Sequence, residues 1–175
     1  MRIVSLISVG EVARGHLESL AEGLALRMRV ASSIHADGLD PAFAFNPLRG
    51  QFHSTEILKW LTQHATAENW RVLGVSELDL YIPILTYVFG EAQLRGRCAV
   101  VSLYRLRQEF YGMPSDPQLV SERLLKESLH ELGHTLGLRH CPDYRCVMSS
   151  SHAVENIDLK VAEYCATCAP ALALG

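Results

Sequence analysis

The sequence has no excess of positive charge and no long hydrophobic run. Its 16 lysines and arginines are outnumbered by 19 aspartates and glutamates, which gives a formal net charge of −3 at pH 7. A protein without a positive field does not attract the phosphate backbone, so nucleic acid is not an expected partner. The first ten residues contain one basic residue and a short apolar run, which fits neither a signal peptide nor a membrane span. We therefore expect a cytoplasmic protein with no membrane partner.

Internal repeats, low-complexity tracts and linkers are also missing. The chain has 175 residues, 49% of them hydrophobic and 20% charged, which is the composition of a globular protein. A chain of this length forms one domain of ordinary size and can bury roughly two thirds of its unfolded surface. We expect a single domain over residues 1–175, present as a monomer.

Hydrophobic periodicity indicates an α/β fold that begins with a β-α-β unit. Residues 2–9 are apolar and rich in β-branched side chains, which predicts a buried strand. Apolar positions recur at helical spacing over residues 12–26, and residues 28–34 return to β character. Residues 87–92 and 98–103 are joined by a turn that contains glycine, which predicts a hairpin. One strand of the sheet should therefore be antiparallel, and the sheet should be mixed.

A second β-α-β unit is predicted in the middle of the chain. Residues 37–50 contain two glycines and two prolines and read as a loop. Ser54 or Thr55 can then cap a helix that continues through Leu61. Residues 71–74 and 78–82 supply the next extended segment.

A long helix over residues 121–136 carries the first chemical motif. His130 and His134 are four positions apart, so their side chains stand above one another on one helix face. Two imidazoles in this arrangement can bind one Zn²⁺. Gly137 can adopt the left-handed conformation that ends a helix and reverses the chain, and His140 can then reach the same ion.

This motif has the composition of a catalytic zinc site. Three neutral imidazoles leave the fourth tetrahedral position free for water, whereas a structural zinc has four protein ligands. Glu131 follows the first histidine directly, so its side chain flanks the metal without being a ligand. A carboxylate in this position can act as a general base towards water that zinc activates. The motif predicts amide hydrolysis, with His130, His134 and His140 as ligands and Glu131 as the base.

Cysteines are scarce until the end of the chain, where four of the five occur within residues 141–175. These four are Cys141, Cys146, Cys165 and Cys168. They form a Cys-x₄-Cys and a Cys-x₂-Cys pair, a spacing that can close a tetrahedral structural zinc site. Two disulfides or free thiols are the alternative, although disulfides are rare in the cytosol. The remaining cysteine, Cys98, lies in an apolar stretch and is expected to be a buried hydrophobic residue.

The order of these residues resembles that of a known family. The pattern His-Glu-x-x-His-x-x-Gly-x-x-His with a methionine further on is the metzincin signature, and Met148 stands eight residues after His140. The segments HELGHTLGLRHC (130–141), CVM (146–148) and CATC (165–168) together resemble the archaemetzincins, a metzincin branch of intracellular metallopeptidase-like proteins. The cysteine after the third histidine and the distal cysteine pair make this resemblance specific. It extends upstream to LYIP (80–83), YVFGEA (87–92) and AVVS (99–102).

The resemblance implies a metzincin-like fold and a role for each motif residue. His130, His134 and His140 would be zinc ligands, Glu131 the catalytic base, and Met148 the Met-turn residue beneath the metal. Phe89 to Ala92 would be the edge strand that borders the cleft, where a peptide could add as a further strand. A role in building the sheet explains this segment equally well.

Two functions remain open at this point. We expect an α/β (α+β) metallopeptidase with a mixed twisted sheet, an active-site helix within an N-terminal subdomain of residues 1–140, and a short zinc-closed C-terminal subdomain of residues 141–175. Two zinc ions per chain and a peptide or protein substrate are implied. The alternative is a zinc-stabilised peptide-binding or interaction module with little turnover, since Glu131 permits catalysis without requiring that the cleft admits a substrate.

Overall fold

A computed structural model describes residues 2–66 and 68–174 of the chain. The strands are β1 (Ile3–Val9), β2 (Ala31–Ile34), β3 (Phe45–Asn46), β4 (Gln51–His53), β5 (Arg71–Ser76), β6 (Leu80–Tyr81), β7 (Gly90–Ala92) and β8 (Cys98–Ser102). The helices are α1 (Arg14–Met28), α2 (Ser54–His64), α3 (Pro117–Thr135), α4 (Val154–Leu159) and α5 (Ala171–Leu174). Short 3₁₀ helices lie at Ala42–Ala44, Tyr104–Leu106 and Gln108–Tyr111. Within the described ranges, no helix has the length and apolarity needed to cross a bilayer.

The main sheet has five strands in the order β2-β1-β5-β8-β7. The first four are parallel, and the edge strand β7 runs antiparallel to β8, with Gly90 opposite Val101 and Ala92 opposite Ala99. This arrangement confirms the predicted mixed sheet, the β-α-β start and the hairpin with an antiparallel edge strand. Among the described residues, β7 is the outermost strand on its side of the sheet, and it packs against α3.

The two faces of this sheet carry two hydrophobic cores. Leu73 and Val75 of β5 point to the face that α1 and α3 cover, while Val72 points to the face that α2 covers. This follows from the two-residue period of a strand. Gly74 also faces α2, where a Cβ would come within 2.9 Å of the Leu61 side chain, so its lack of a side chain lets the helix approach.

A second small sheet corrects the expectation for the middle of the chain. Strands β3, β4 and β6 form it, with β3 antiparallel and β6 parallel to β4. The sequence predicted a loop over residues 37–50 and a place in the main sheet for residues 78–82. Strands of two or three residues are too short to display the alternation from which a strand can be predicted.

The C-terminal segment packs onto the same core as the long helix. Val147, Met148, Val154 and Ile157 are buried in the cluster that also contains the inner face of α3. The turn that contains Met148 and helix α4 therefore lie directly beside the helix that carries the histidines.

Candidate active site

Helix α3 and the turn after it position the three histidines. The Asp116 carboxylate accepts a hydrogen bond from the Leu119 N–H at 3.0 Å, and Pro117 occupies the first turn, both of which favour a helix start. Beyond the last turn, Gly137 has a φ of +94°, a left-handed conformation that favours glycine. The chain reverses there and returns His140 towards the helix.

The three histidine rings converge. The ring centroid of His130 lies 4.6 Å from that of His134 and 5.2 Å from that of His140, and the other two centroids are 5.1 Å apart. One nitrogen from each ring lies within 4.8 Å of the other two. The structure thus brings together the three residues that the sequence singled out.

Hydrogen bonds determine which nitrogen of each helical histidine faces this point. Nδ1 of His130 lies 2.8 Å from the carbonyl oxygen of Val147, and Nδ1 of His134 lies 2.8 Å from that of Leu138. A carbonyl oxygen only accepts, so each Nδ1 donates a proton and each Nε2 presents a lone pair. The two Nε2 atoms lie 3.0 Å apart. Lone pairs this close repel, whereas two nitrogens on one tetrahedral zinc lie about 3.3 Å apart, so the pair fits a bound cation.

Burial keeps the imidazoles neutral. Loss of solvation lowers the pKa of His130 well below its usual value, and the charge of Lys160 lowers it further. Burial is also the main cause that lowers the pKa of His134 and of His140. Because neutral imidazole is the form that binds a metal ion, the chemistry of the three donors suits zinc.

Glu131 lies beside the histidines in a confined space. The residue is only 6% exposed. Burial raises the pKa of its carboxyl well above the usual value, and the charges of Glu127 and Glu91 raise it further. Across from it, a Cβ on Gly90 would lie 2.8 Å from Glu131 Cγ and 2.9 Å from Oε1. The space for this carboxylate therefore depends on glycine in the edge strand.

A buried ion pair next to Glu131 was not predicted from the sequence. Lys160 Nζ lies 3.4 Å from Glu127 Oε1, and the two side chains are 0% and 4% exposed. A buried charge is tolerated when a partner offsets its loss of solvation. Glu127 stands one helical turn before Glu131, which the sequence could have indicated. No feature of the sequence marks Lys160 as its partner.

The carboxylate of Glu91 joins the edge strand to the start of α2. Ser54 Oγ donates to Glu91 Oε2 at 2.5 Å, and Thr55 Oγ1 donates to Oε1 at 2.9 Å. The sequence predicted one of these hydroxyl residues as the helix cap. That prediction is wrong, because His53 occupies the cap position without a side-chain hydrogen bond and both hydroxyls bind Glu91 instead.

Met148 packs against the turn of α3 that separates the two helical histidines. Its side chain is fully buried, and a Cβ on Gly133 would overlap Met148 Sδ. The Met148 carbonyl oxygen accepts a hydrogen bond from the Cys141 N–H at 2.9 Å. Tyr164, on the same side, donates from its hydroxyl to the Leu129 carbonyl oxygen at 2.6 Å. Met148 and Tyr164 therefore both pack against the part of α3 between its two histidines.

The four C-terminal cysteines form a second cluster. Their Sγ atoms all lie within 4.8 Å of one another, and all are free thiols. The Cys141 and Cys165 sulfurs are 3.8 Å apart, close to the spacing of about 3.8 Å between two thiolates on a tetrahedral zinc. Hydrogen bonds from the backbone of Cys168 and Thr167 lower the pKa of Cys165 to about 7, whereas burial raises the pKa of Cys168. The donor set fits zinc.

A cleft of about 890 Å³ opens above the histidines. Helix α3 contributes Glu127, His130, Glu131 and His134 to its floor. Residues 82–94, which include β7, line one wall, and Ser150 to His152 line the opposite wall. The sequence expectation that β7 borders the cleft is confirmed. Tyr87 and Arg139 also line it, and neither was singled out from the sequence.

Comparisons with protein families and with curated proteins both point to the same group of peptidases. The profile of "Peptidase family M54" matches residues 49–173. The chain is 52% identical over 128 residues to the archaemetzincin of Methanocaldococcus jannaschii, covering 73% of this chain and 69% of that protein. It is 38% identical over 174 residues to the archaemetzincin of Thermococcus kodakarensis, covering 96% of this chain and 94% of that protein.

Solved structures agree. The crystal structure of archaemetzincin from Methanopyrus kandleri superposes with a TM-score of 0.85 at 33% identity, covering 99% of this chain and 94% of that one. A zinc-dependent peptidase from Methanocorpusculum labreanum superposes with a TM-score of 0.85 at 28% identity, covering 97% of this chain and 99% of that one.

Proposed function

The chain belongs to peptidase family M54, and we propose that it cleaves peptide bonds with a zinc ion held by His130, His134 and His140. Membership of this family makes it a zinc metallopeptidase that acts on peptides. Of the two functions that the sequence left open, the enzyme is therefore favoured over the binding module.

Convergence of three neutral imidazoles on one point is the observation that carries the proposal. The Nε2 atoms of His130 and His134 face each other 3.0 Å apart, an arrangement that a cation between them stabilises. When bound, zinc supplies a Lewis acid that acidifies water and polarises a peptide carbonyl group. Three protein ligands leave one tetrahedral position to solvent, which suits catalysis.

Glu131 is the general base in this proposal. Its carboxylate takes one proton from the attacking water, whose oxygen forms the new bond to the carbonyl carbon. It then delivers a proton to the amide nitrogen as the C–N bond breaks, so that a carboxylic acid and an amine result. The support is its position next to His130 in the lining of the cleft, with its carboxylate in the gap that Gly90 leaves.

A second, structural zinc ion is proposed for Cys141, Cys146, Cys165 and Cys168. Support comes from their mutual distances. Cys141 follows His140 directly, so a metal that fixes this thiolate also restrains the third histidine.

The proposed cysteine site also suggests how the chain is divided into subdomains. Residues 141–175 are proposed to be a C-terminal subdomain closed by zinc on an N-terminal subdomain of residues 1–140, with Met148 as the Met-turn residue. A monomeric state, a cytoplasmic location and the lack of a nucleic-acid partner remain predictions.

Replacement of Glu131 by glutamine tests the mechanism. The amide keeps the shape of the side chain and cannot accept the proton, so we expect turnover of a broad peptide library to fall at least about a hundredfold. The zinc content, measured by mass spectrometry of the purified protein, should stay the same. Glu18→Gln, at an exposed position of α1, is the matched control and should cleave like the parent. Peptide turnover that survives in Glu131→Gln would mean that Glu131 is not the base.

A further inference from the structure

The two walls of the cleft are tied together by one side chain. Tyr87 lies in the segment before β7, on the wall formed by residues 82–94, and His152 lies on the opposite wall. The Tyr87 hydroxyl donates a hydrogen bond to the His152 carbonyl oxygen at 2.8 Å. These residues are 65 positions apart in sequence, so the bond spans the cleft between two separate segments of the chain.

The course of residues 87–95 along the cleft gives the position of the Tyr87–His152 hydrogen bond relative to Glu131. Gly90 faces Glu131, and further on the Arg95 N–H donates to the His134 carbonyl oxygen at 3.0 Å. The wall therefore runs past Glu131 from Tyr87 at one end towards Arg95 at the other. Tyr87 and Gly90 are three positions apart, which is at most roughly 10 Å of chain. The tie therefore crosses the cleft no more than about three peptide residues from the catalytic centre.

The tyrosine side of the tie is held rigidly. The Arg105 guanidinium stacks on the Tyr87 ring with its carbon 4.2 Å from the ring centroid. Arg105 itself is fixed by two hydrogen bonds to the Asp79 carboxylate, at 2.7 and 2.8 Å. The Phe89 and Tyr87 rings pack edge to face with centroids 5.3 Å apart. The ring therefore has little freedom to swing out of the cleft.

The wall segment that contains His152 is also held in place. Asn156 Oδ1 accepts hydrogen bonds from the N–H groups of His152, at 3.1 Å, and of Ala153, at 3.0 Å. This bonding anchors the wall segment to the first turn of α4. The tie thus joins two fixed groups, and opening it requires a hydrogen bond to break and a stacked ring to move.

We propose that Tyr87 is a specificity-determining residue that selects peptides with no more than about three residues beyond the scissile bond on one side. The substrates are then short peptides, or longer chains that are cut near one terminus. A chain that continued past this point would meet the Tyr87–His152 bond. The inference rests on the proposed function, since it takes Glu131 and the histidines as the place where the peptide is cut.

The test uses zinc-anchored probes that fix the register of the peptide. Alanine-based peptides in which a phosphinic group replaces the scissile amide bind zinc as transition-state mimics. One series adds one to six alanines on the amino side of this group, and a second series adds them on the carboxyl side. Dissociation constants are measured by calorimetry for the zinc-loaded wild type, for Tyr87→Phe and for Tyr104→Phe. Tyr104→Phe, outside the cleft lining, is the matched control.

The expected result is a limit on one side only. In the wild type, affinity should fall about fivefold or more once one series passes three residues, and the other series should show no such step. Tyr87→Phe should reduce the step roughly fivefold, because the ring no longer donates the bond that holds the walls together. Tyr104→Phe should keep the wild-type step.

Two other outcomes would overturn the inference. Equal tolerance of both series in the wild type would mean that the tie does not limit the peptide, and an unchanged step in Tyr87→Phe would mean that another group sets it. Either result leaves zinc-dependent cleavage intact. Failure of even the shortest probes to bind would instead contradict the zinc site, and the proposed function would fall together with the inference.

Discussion

Gly90 and Glu131 share a space that has no room for another methyl group. A Cβ at position 90 would lie 2.7 Å from the Val100 carbonyl oxygen and 2.8 Å from Glu131 Cγ, both closer than such atoms pack. The backbone of β8 is fixed in the sheet, so the Glu131 side chain is the group that must move. We expect Gly90→Ala to lower kcat about tenfold to a hundredfold, because a general base acts only within hydrogen-bond reach of its proton.

The zinc content separates this effect from a loss of metal. It should be unchanged in Gly90→Ala, since the atoms nearest the added methyl group belong to Val100 and Glu131 and not to a histidine. Gly15→Ala on α1 is the matched control, because a Cβ there meets nothing within 4 Å. An unaltered kcat in Gly90→Ala would show that Glu131 does not depend on the gap in the edge strand.

The buried pair of Lys160 and Glu127 predicts a large loss of stability. Lys160→Met leaves a carboxylate in a site from which water is excluded, and removing one partner of a buried pair costs about 3 kcal/mol. The free energy of unfolding in urea is the measurement.

A second substitution should restore most of this loss. In the double variant Lys160→Met with Glu127→Gln, no unpaired charge stays buried. Lys59→Met, which removes the exposed partner of Glu56, should change stability by less than about 1 kcal/mol. If Lys160→Met behaved like Lys59→Met, the Lys160–Glu127 pair would not be structurally important.

At the scale of elements, periodicity and local motifs explain what could be foreseen. Long segments such as β1 and α3 can be predicted from the spacing of their apolar residues. The spacing of His130, Gly137 and His140 predicts that the chain reverses after α3. The small sheet could not be foreseen, because Leu80–Tyr81 is too short to show a period. The buried partner of Glu127 depends on how the C-terminal segment folds back, which single-sequence patterns do not encode.

The C-terminal segment provides a prediction at this scale. Cys141→Ser should remove one of two zinc ions, because a hydroxyl is a poor substitute for a thiolate ligand. Amide hydrogen exchange should then speed up across residues 141–174, where the turn, α4 and α5 lie. Loss of restraint on His140 should lower kcat about tenfold.

Cys98 offers the control for this experiment. It is buried against α2, outside the cysteine cluster, so Cys98→Ala should keep both zinc ions and the exchange pattern of the C-terminal segment. A single zinc ion in the wild type that persists in Cys141→Ser would contradict the four-cysteine site.

For the whole molecule, the sheet and the C-terminal segment form the two sides of one cleft. The sheet presents its edge strand, the long helix supplies the floor, and the segment after Met148 closes the other side. All three share the core that contains Leu129, Leu132 and Val147. The positions of the three histidines therefore depend on the sheet, the long helix and the C-terminal segment together. A substitution in the shared core of any of these three should alter zinc binding.

Diffraction at the zinc absorption edge from crystals of the zinc-loaded protein tests the central claim most directly. The expected anomalous map has one peak about 2.0–2.1 Å from a nitrogen of each of His130, His134 and His140, with solvent as the fourth ligand. A second peak should lie about 2.3 Å from four cysteine sulfurs. A histidine peak that is absent, or whose fourth position is filled by a protein atom, would contradict a zinc peptidase site here.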